Sequence, residues 1–336
     1  MATVRDVAQR AHVSIATVSR ALNNHPRVSE STRMAVIRAA QDLGYPVERL
    51  RSTPHIAQSV LVLARHDSEG AAGPAAKPIV REFEQTVWRG VHAVLEERGI
   101  TTRLQSSHIS SADADFFAND MGVSGLVLLG GMIHPRFVAH LQARAIPFVV
   151  AGAHLHPLRV NCVMADVPQG MRDATQHLID TGRRRIGLVN GPDETTTSRE
   201  KWDTLRLMLA LNDLPFDPRQ VTISGFNAEA GCQQTYRLLD QFPELDAIVY
   251  ADATIAMGGL RALREKGRRI PEDVAVVGFG DYEIAEFTDP PLTTVHFDMH
   301  QMGAIAARRL CMLLDDAPDE PWLIRVPTTL KHRKST

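Results

Sequence analysis

Cysteine is scarce: Cys162, Cys232 and Cys311 are scattered through 336 residues, with no CxxC and no Cys/His spacing. An odd, dispersed set of thiols excludes a disulfide framework and a structural zinc site, and reads as reduced, packed cysteines. Aromatic residues make up only 5% of the chain, and no run of eighteen apolar residues is present to span a membrane as a helix. Arg5 and Asp6 stand where a secretory signal would need its apolar core, so a cytoplasmic protein is expected. No GxGxxG follows a strand, and neither GxxxxGK(S/T) nor GxSxG occurs, so nucleotide-dependent and acyl-transfer enzymes lack their loops. His154 and His156 lie two residues apart in HLHP beside a proline, a loop rather than a metal site. Neither a cofactor nor a metal is expected.

What is present begins at Thr3. In TVRDVAQRAHVSIATVSRALNN, Val4, Val7, Ala8 and Ala11 fall at i, i+3, i+4 and i+7, one apolar helix face, with Thr3 and Asp6 placed to cap its exposed amides. A second helix starts at Ser14 as N-cap and buries Val18, Ala21 and Leu22, which leaves Ile15, Ala16, Thr17, Ser19 and Arg20 pointing elsewhere. Only His12 and Val13 join the two, a corner tight enough for a helix-turn-helix whose second helix enters a major groove. A third helix, capped at Ser29 and ended by Gly44, closes the core with Val36, Ile37, Ala40 and Leu43. Up to Pro54 eight arginines face four acidic residues, a balance of +4, while the whole chain carries -2, so the remainder is at -6. A basic module that meets phosphate is thus joined to an acidic body that does not.

The stretch MATVRDVAQRAHVSIATVSRALNN, followed by RVSESTR and DLGY, closely resembles the head of LacI/GalR-type transcription regulators over the first 45 residues. The resemblance implies that Ile15 and Ala16 read base edges, that Arg20 makes a further base contact, and that Thr3, Ser14, Thr17, Ser19 and Asn23 hold phosphates. Arg20 can pair bidentately with guanine, a contact worth roughly 1–3 kcal/mol of discrimination, whereas Ile15 and Ala16 can read only thymine methyl groups or shape. Residues 46–58 stand where the family has a hinge helix that inserts a leucine into the minor groove. Here Pro46 follows Tyr45 directly, Leu50-Arg51-Ser52-Thr53 replaces the usual Ala-Arg-Ser-Leu core, and Pro54 ends any helix. Leu50 is the only leucine left as a wedge and lies a turn early; Arg51 follows it.

From Ser59 short apolar strands alternate with helices, the grammar of parallel sheets covered on both faces. Strands are expected at 60–64, 126–129, 148–151, 186–190, 247–250 and 274–278. Helices are expected at 83–98, 169–181, 199–211, 228–241, 255–267 and 299–314. The fold class is α/β: a three-helix head and a two-lobed, periplasmic-binding-protein-like sensor. Crossovers near Asp166, His296 and Pro321 assign 59–165 and 298–320 to one lobe and 166–297 and 321–333 to the other. DTGRRRIGLVNGP, LDAIVYADATIAMGGLRALREKG, IPEDVAVVGFGD and DPPLTTV extend the resemblance through the second lobe. In the first, VREFEQTVWRGV matches only at Phe83, Arg89 and Gly90, and 68–77 reads as a flexible insertion.

By position the resemblance implies an effector site. Arg199 matches the ligand-clamping arginine, Phe226 an aromatic wall, and Asp252 the acid of an Asn-Asp pair whose Asn is Ala251 here; Phe83 faces them from the first lobe. Trp202 stands where glycine is common, set either to stack on a sugar or to pack, and Asp252 equally suits a helix cap. The usual Gly-Phe/Tyr-Asp-Asp becomes Gly278-Phe279-Gly280-Asp281, so one acid is lost at Gly280 while Asp281 is kept. Losing an anion beside Arg199 predicts a sugar acid or sugar phosphate over a neutral sugar. The whole is expected to be a homodimeric repressor on a pseudo-palindromic double-stranded DNA operator, controlled by a small sugar-like effector.

Overall fold

The computed structural model describes residues 3–22, 28–45, 59–65, 82–107, 123–130, 133, 135–315 and 320–336. Two units divide the chain, 1–58 and 59–336. In the first, Thr3 caps α1 (Val4–Arg10): its hydroxyl accepts from the Asp6 amide, and its own amide donates to Asp6 Oδ2 at 2.7 Å. This reciprocal box satisfies two end donors at once. His12 turns the corner at φ 51, and α2 (Ile15–Leu22) follows Ser14, whose Oγ accepts from the Thr17 amide at 3.1 Å. Ser29 caps α3 (Glu30–Asp42), and Gly44, at φ 59, ends it in the left-handed conformation that suits glycine. Val7, Ala8, Val18, Ala21, Val36 and Ala40 meet in one core. Ala39 is buried with them, whereas Ile37, expected inside, is half-buried.

The second unit contains two six-stranded sheets. The first is built from β1 (Ser59–Arg65), β2 (Thr101–Ser107), β3 (Gly125–Leu129), β4 (Phe148–Ala151), β5 (Cys162–Ala165) and β11 (Leu323–Val326), in the order β11-β5-β4-β3-β1-β2. Every pairing in it is parallel. The second is built from β6 (Ile186–Asn190), β7 (Val221–Ile223), β8 (Ala247–Tyr250), β9 (Ala275–Phe279), β10 (Thr293–Phe297) and β12 (Thr328–Lys331), in the order β12-β10-β9-β8-β6-β7. Only β12 runs antiparallel there. β3, β4, β8 and β9 are buried along their whole length, because helices cover both faces of each sheet and leave the strands as continuous apolar runs.

The covering helices are α4 (Glu82–Glu96), α5 (Pro135–Ala143), α6 (Val167–Asp180), α7 (Thr196–Leu211), α8 (Ala228–Gln241), α9 (Ala253–Glu265) and α10 (Met299–Leu314). Two pairs approach backbone to backbone through glycine. A Cβ at Gly90 of α4 would run into the His300 carbonyl of α10, and one at Gly303 into the Val87 carbonyl of α4. The same reciprocity joins α8 and α9, where Gly231 meets the Ile255 carbonyl and Gly258 that of Ala228.

The chain crosses between sheets three times. Asp166 follows β5 and caps α6, and Asp298 follows β10 and caps α10. The third crossing differs from expectation. Residues 321–326, assigned above to the second lobe, contain β11, which pairs with β5 in the first sheet, so the passage falls at Pro327 rather than near Pro321. Among the described residues no helix is long and apolar enough to cross a membrane. The 68–77 segment lies outside the described residues.

Candidate functional site

In the head, Ile15 opens α2 with 47% of its surface exposed, unusual for a large aliphatic side chain in so small a core. Thr3 commits its hydroxyl to Asp6 Oδ2 at 2.8 Å, and its hydrogen bonds hold the Asp6 carboxyl below the usual carboxylate range. Ser14 and Thr17 share a hydroxyl contact at 2.8 Å. The backbone of Ala16, Ser19 and Arg20 belongs to α2. Asn23, Leu50 and Arg51 lie outside the described residues.

In the body, the carboxyl ends of the two sheets meet, which is where open α/β sheets gather their loops and ligands. After β6, Gly191 lies directly under Phe226: a Cβ there would strike the Phe226 ring. After β4, Gly152 lies under Phe83 in the same way. Asp252, after β8, caps α9 by accepting from the Thr254 amide at 2.7 Å, and its other oxygen accepts from the Tyr282 hydroxyl at 2.7 Å. Asp252 is thus the helix cap, and its second oxygen is taken by the loop after β9.

Three expected residues are engaged elsewhere. Arg199 is exposed, its Nε donating to the Asp193 carbonyl at 3.1 Å. Trp202 packs edge-on against Phe216, with ring centroids 6.0 Å apart. Asp281 accepts from Arg333 Nη1 at 2.8 Å and from the Thr294 hydroxyl at 2.7 Å. Burial opposes ionisation of Asp281, but these donors hold its carboxyl below the usual range.

Lys201, on the same helix as Arg199, lies inside. It is 5% exposed, with Nζ 4.4 Å from the centre of the Phe279 ring. Burial brings its pKa down to about 8, while the charges of Asp252 and Glu200 oppose that fall. Lys201, Thr204, Leu205 and Met208 are all buried and follow the i, i+3, i+4, i+7 stripe of α7, so periodicity held the signal for this position.

Glu200, next to it, joins the lobes. Arg325 of β11 donates to Glu200 through both terminal nitrogens, at 2.6 and 3.2 Å, and His154 Nε2 lies 3.4 Å from the same carboxylate. Nearby, the Thr196 hydroxyl donates to the His154 carbonyl at 2.7 Å. On the other side the Glu283 amide donates to Glu82 Oε1 at 3.0 Å. These contacts fasten the second lobe to the first around Lys201, Asp252 and Tyr282. Of these bridging groups only His154 was named from the sequence, and then as part of a loop, because each belongs to one lobe and its partner is more than forty residues away, at separations of 42 to 201 residues.

Known proteins share both units. Residues 3–46 match the family described as bacterial regulatory proteins, lacI family, and residues 175–336 match the periplasmic binding protein-like domain. The HTH-type transcriptional regulator CelR of Thermobifida fusca is 33% identical over 339 residues, covering 99% of this chain and 98% of that protein. A solved complex of the transcriptional regulator CelR with cellobiose superposes with a TM-score of 0.75 at 30% identity and covers both chains completely. The lac repressor dimer bound to operator and the anti-inducer ONPF shares the fold, with a TM-score of 0.71 at 24% identity over 99% of this chain and 98% of that one. The capped helix-turn-helix and the paired parallel sheets therefore occur together in relatives that match this chain along its full length, and the chain belongs to the lacI family of bacterial DNA-binding transcriptional regulators.

Proposed function

We propose that this regulator is a cytoplasmic homodimeric repressor whose affinity for a roughly palindromic operator is set by a neutral saccharide bound between the two lobes. The charge balance of the cleft carries the choice of ligand. The acidic effector expected from the sequence required Arg199 to face the cleft with no compensating anion. Instead Arg199 donates to the Asp193 backbone carbonyl, and Lys201 lies buried with the charges of Asp252 and Glu200 acting on it. Asp281 is already balanced by Arg333. Lys201 thus stands beside carboxylates rather than as a lone positive charge, which offers hydrogen bonds of both polarities and no unpaired cation for a carboxylate or phosphate. The cellobiose complex of the CelR relative supports a saccharide.

In this reading residues 1–45 are the DNA head and 46–58 the linker. Ile15, Ala16 and Arg20 read bases, and Thr3, Ser14, Thr17, Ser19 and Asn23 hold phosphates. Leu50 and Arg51 belong to the linker's contact with DNA. Phe83, Phe226, Lys201 and Asp252 line the effector site. Parallel sheets of this kind do not by themselves imply catalysis. The saccharide acts by preferring one lobe arrangement, and operator affinity changes by its differential affinity for the two states.

A gel shift with the promoter upstream of the chain's own gene tests the reading. A salt-sensitive, sequence-selective complex whose midpoint moves with a neutral saccharide is the expected result. Loss of selectivity under every condition removes the repressor; a response to gluconate or glucose 6-phosphate alone removes the neutral ligand.

A further inference from the structure

Arg309 of α10 is a charged side chain inside the first lobe, only 2% exposed, and its donors converge on the start of β11. Nε donates to Asn161 Oδ1 at 2.7 Å, Nη2 donates to the Glu320 carbonyl at 2.9 Å, and the guanidinium carbon lies 4.2 Å from the centre of the Trp322 ring. Asn161 Oδ1 also accepts from the Trp322 amide at 3.0 Å. Among the described residues Nη1 is buried with no partner. A buried guanidinium that is not fully satisfied adds little to stability, and an apolar side chain of similar volume often serves as well. Its polar contacts specify position instead. What they position is β11, a four-residue strand at the sheet edge, in register with β5 from Leu323 opposite Cys162 to Val326 opposite Ala165. Ile324 and Val326 pack on the core, whereas Leu323 is exposed. That alternation opposes a slip by one residue, which would exchange the two faces, but not a slip by two. A slip by two would carry Arg325 about 7 Å along the strand, away from Glu200.

We propose that Arg309 is the positioning residue of the clasp between the lobes: with Asn161 it sets the register of β11, and through that register it aims Arg325 at Glu200. The inference rests on the reading that the lobe arrangement sets operator affinity. Arg309 touches neither DNA nor the second lobe, and it acts through a strand whose apolar residues are too few to fix their own place. Asn161 stands directly before β5 and Trp322 directly before β11, so one amide oxygen ties the two strand starts together and the guanidinium holds that oxygen from α10. Three residues beyond Trp322, the Arg325 fork meets the Glu200 carboxylate of α7. A side chain in the interior of one lobe thereby decides whether that lobe can grip the other.

Anisotropy titrations of the full-length protein against the promoter fragment upstream of its own gene, without sugar, decide the matter in Glu200→Gln, Arg309→Met and the double variant. Opening the clasp by Glu200→Gln is expected to move the operator Kd by about fivefold. Arg309→Met should move it in the same direction by a similar factor, and the double variant should go no further than either one. Independent effects would multiply to about twenty-fivefold. That product, or an unchanged Kd in Arg309→Met, overturns the positioning role. A merely structural loss at Arg309 acts alike with and without Glu200, so it too gives the product. An unchanged Kd in Glu200→Gln overturns control of operator binding by the clasp, and this inference with it; absence of selective binding by the unaltered protein overturns the repressor reading itself. Urea unfolding monitors the fold. If Arg309→Met is unfolded, Asn161→Ala takes its place, since it removes the oxygen shared by Arg309 and the Trp322 amide, and the same outcomes decide.

Discussion

The two sheets of the body are near copies in topology, each with five parallel strands in matching order and a sixth at the edge from the C-terminal segment, β11 before the last crossing and β12 after it. Their chemistry is not copied. The second lobe carries Lys201 over the Phe279 ring, Asp252 bonded to the Tyr282 hydroxyl, and Phe226 over Gly191. Among the described residues the first answers with the Phe83 ring, a Glu82 oxygen, the His154 carbonyl and the Arg325 fork. In the proposed reading one lobe recognises and the other clasps. Duplicated topology sets where loops gather, while the residues at the strand ends decide which lobe reads the ligand.

The largest expected effect would break this contrast inside the second lobe. Asp281 and Arg333 are both about 14% exposed or less, and removing one member of such a pair leaves a buried charge. Asp281→Ala should cost about 3–5 kcal/mol in urea unfolding. The ranking of sugars should survive; a reordered ranking with normal stability would return Asp281 to the effector site.

Lys201→Met comes next, with effector affinity down by roughly tenfold to a hundredfold in calorimetry. Its pH signature has a defined sign. The unfolded chain keeps this proton to about 10.5 and the folded chain releases it at about 8, so the residue makes the fold more stable as pH rises across that window. The variant should flatten that part of the stability profile. In the unaltered protein, a ligand that uses the ammonium should bind more weakly as pH rises through 8.

Glu200→Gln addresses the clasp. The bidentate pair with Arg325 is lost while the helix is kept, and the effector-dependent change in operator affinity should shrink by about 1 kcal/mol. Operator titrations with and without sugar measure it. Phe83→Leu should do least, weakening sugar binding by about twofold to fivefold for the loss of part of one apolar contact. If Phe83→Leu proves costlier than Lys201→Met, recognition belongs to the first lobe.

Local signals were legible in the sequence and distant ones were not. Thr3, Ser14, Ser29, Gly44 and Asp252 act on amides or dihedrals within three residues, so their types alone announced the helix ends. The alternation of strands and helices gave the two lobes, because buried parallel strands are short apolar runs. Polar β2, in TTRLQSS, the three- to five-residue strands β5, β7 and β10, the short pair β11 and β12 around Pro327, and the helix α5 were missed. Arg199 and Lys201 show the limit most clearly. Two residues apart on a helix, they point about 200° away from each other. Chemistry and family position favoured the arginine, but the buried stripe of α7 carries the lysine inward.

The glycine contacts between α4 and α10 and between α8 and α9 have a mechanical consequence. Carbonyls seated where a methyl would be leave those helices no room to slide, so each half behaves as a lever and not as a spring. The three passages between the lobes, at Asp166, Asp298 and Pro327, all lie at the carboxyl ends of strands. Ser59 starts β1 at the opposite end of the first sheet, seven residues and roughly 20 Å away along the strand. A turn of a few degrees, too slight to break any one bond at those passages, is lengthened over that arm before it reaches the point where the body receives the chain from the head.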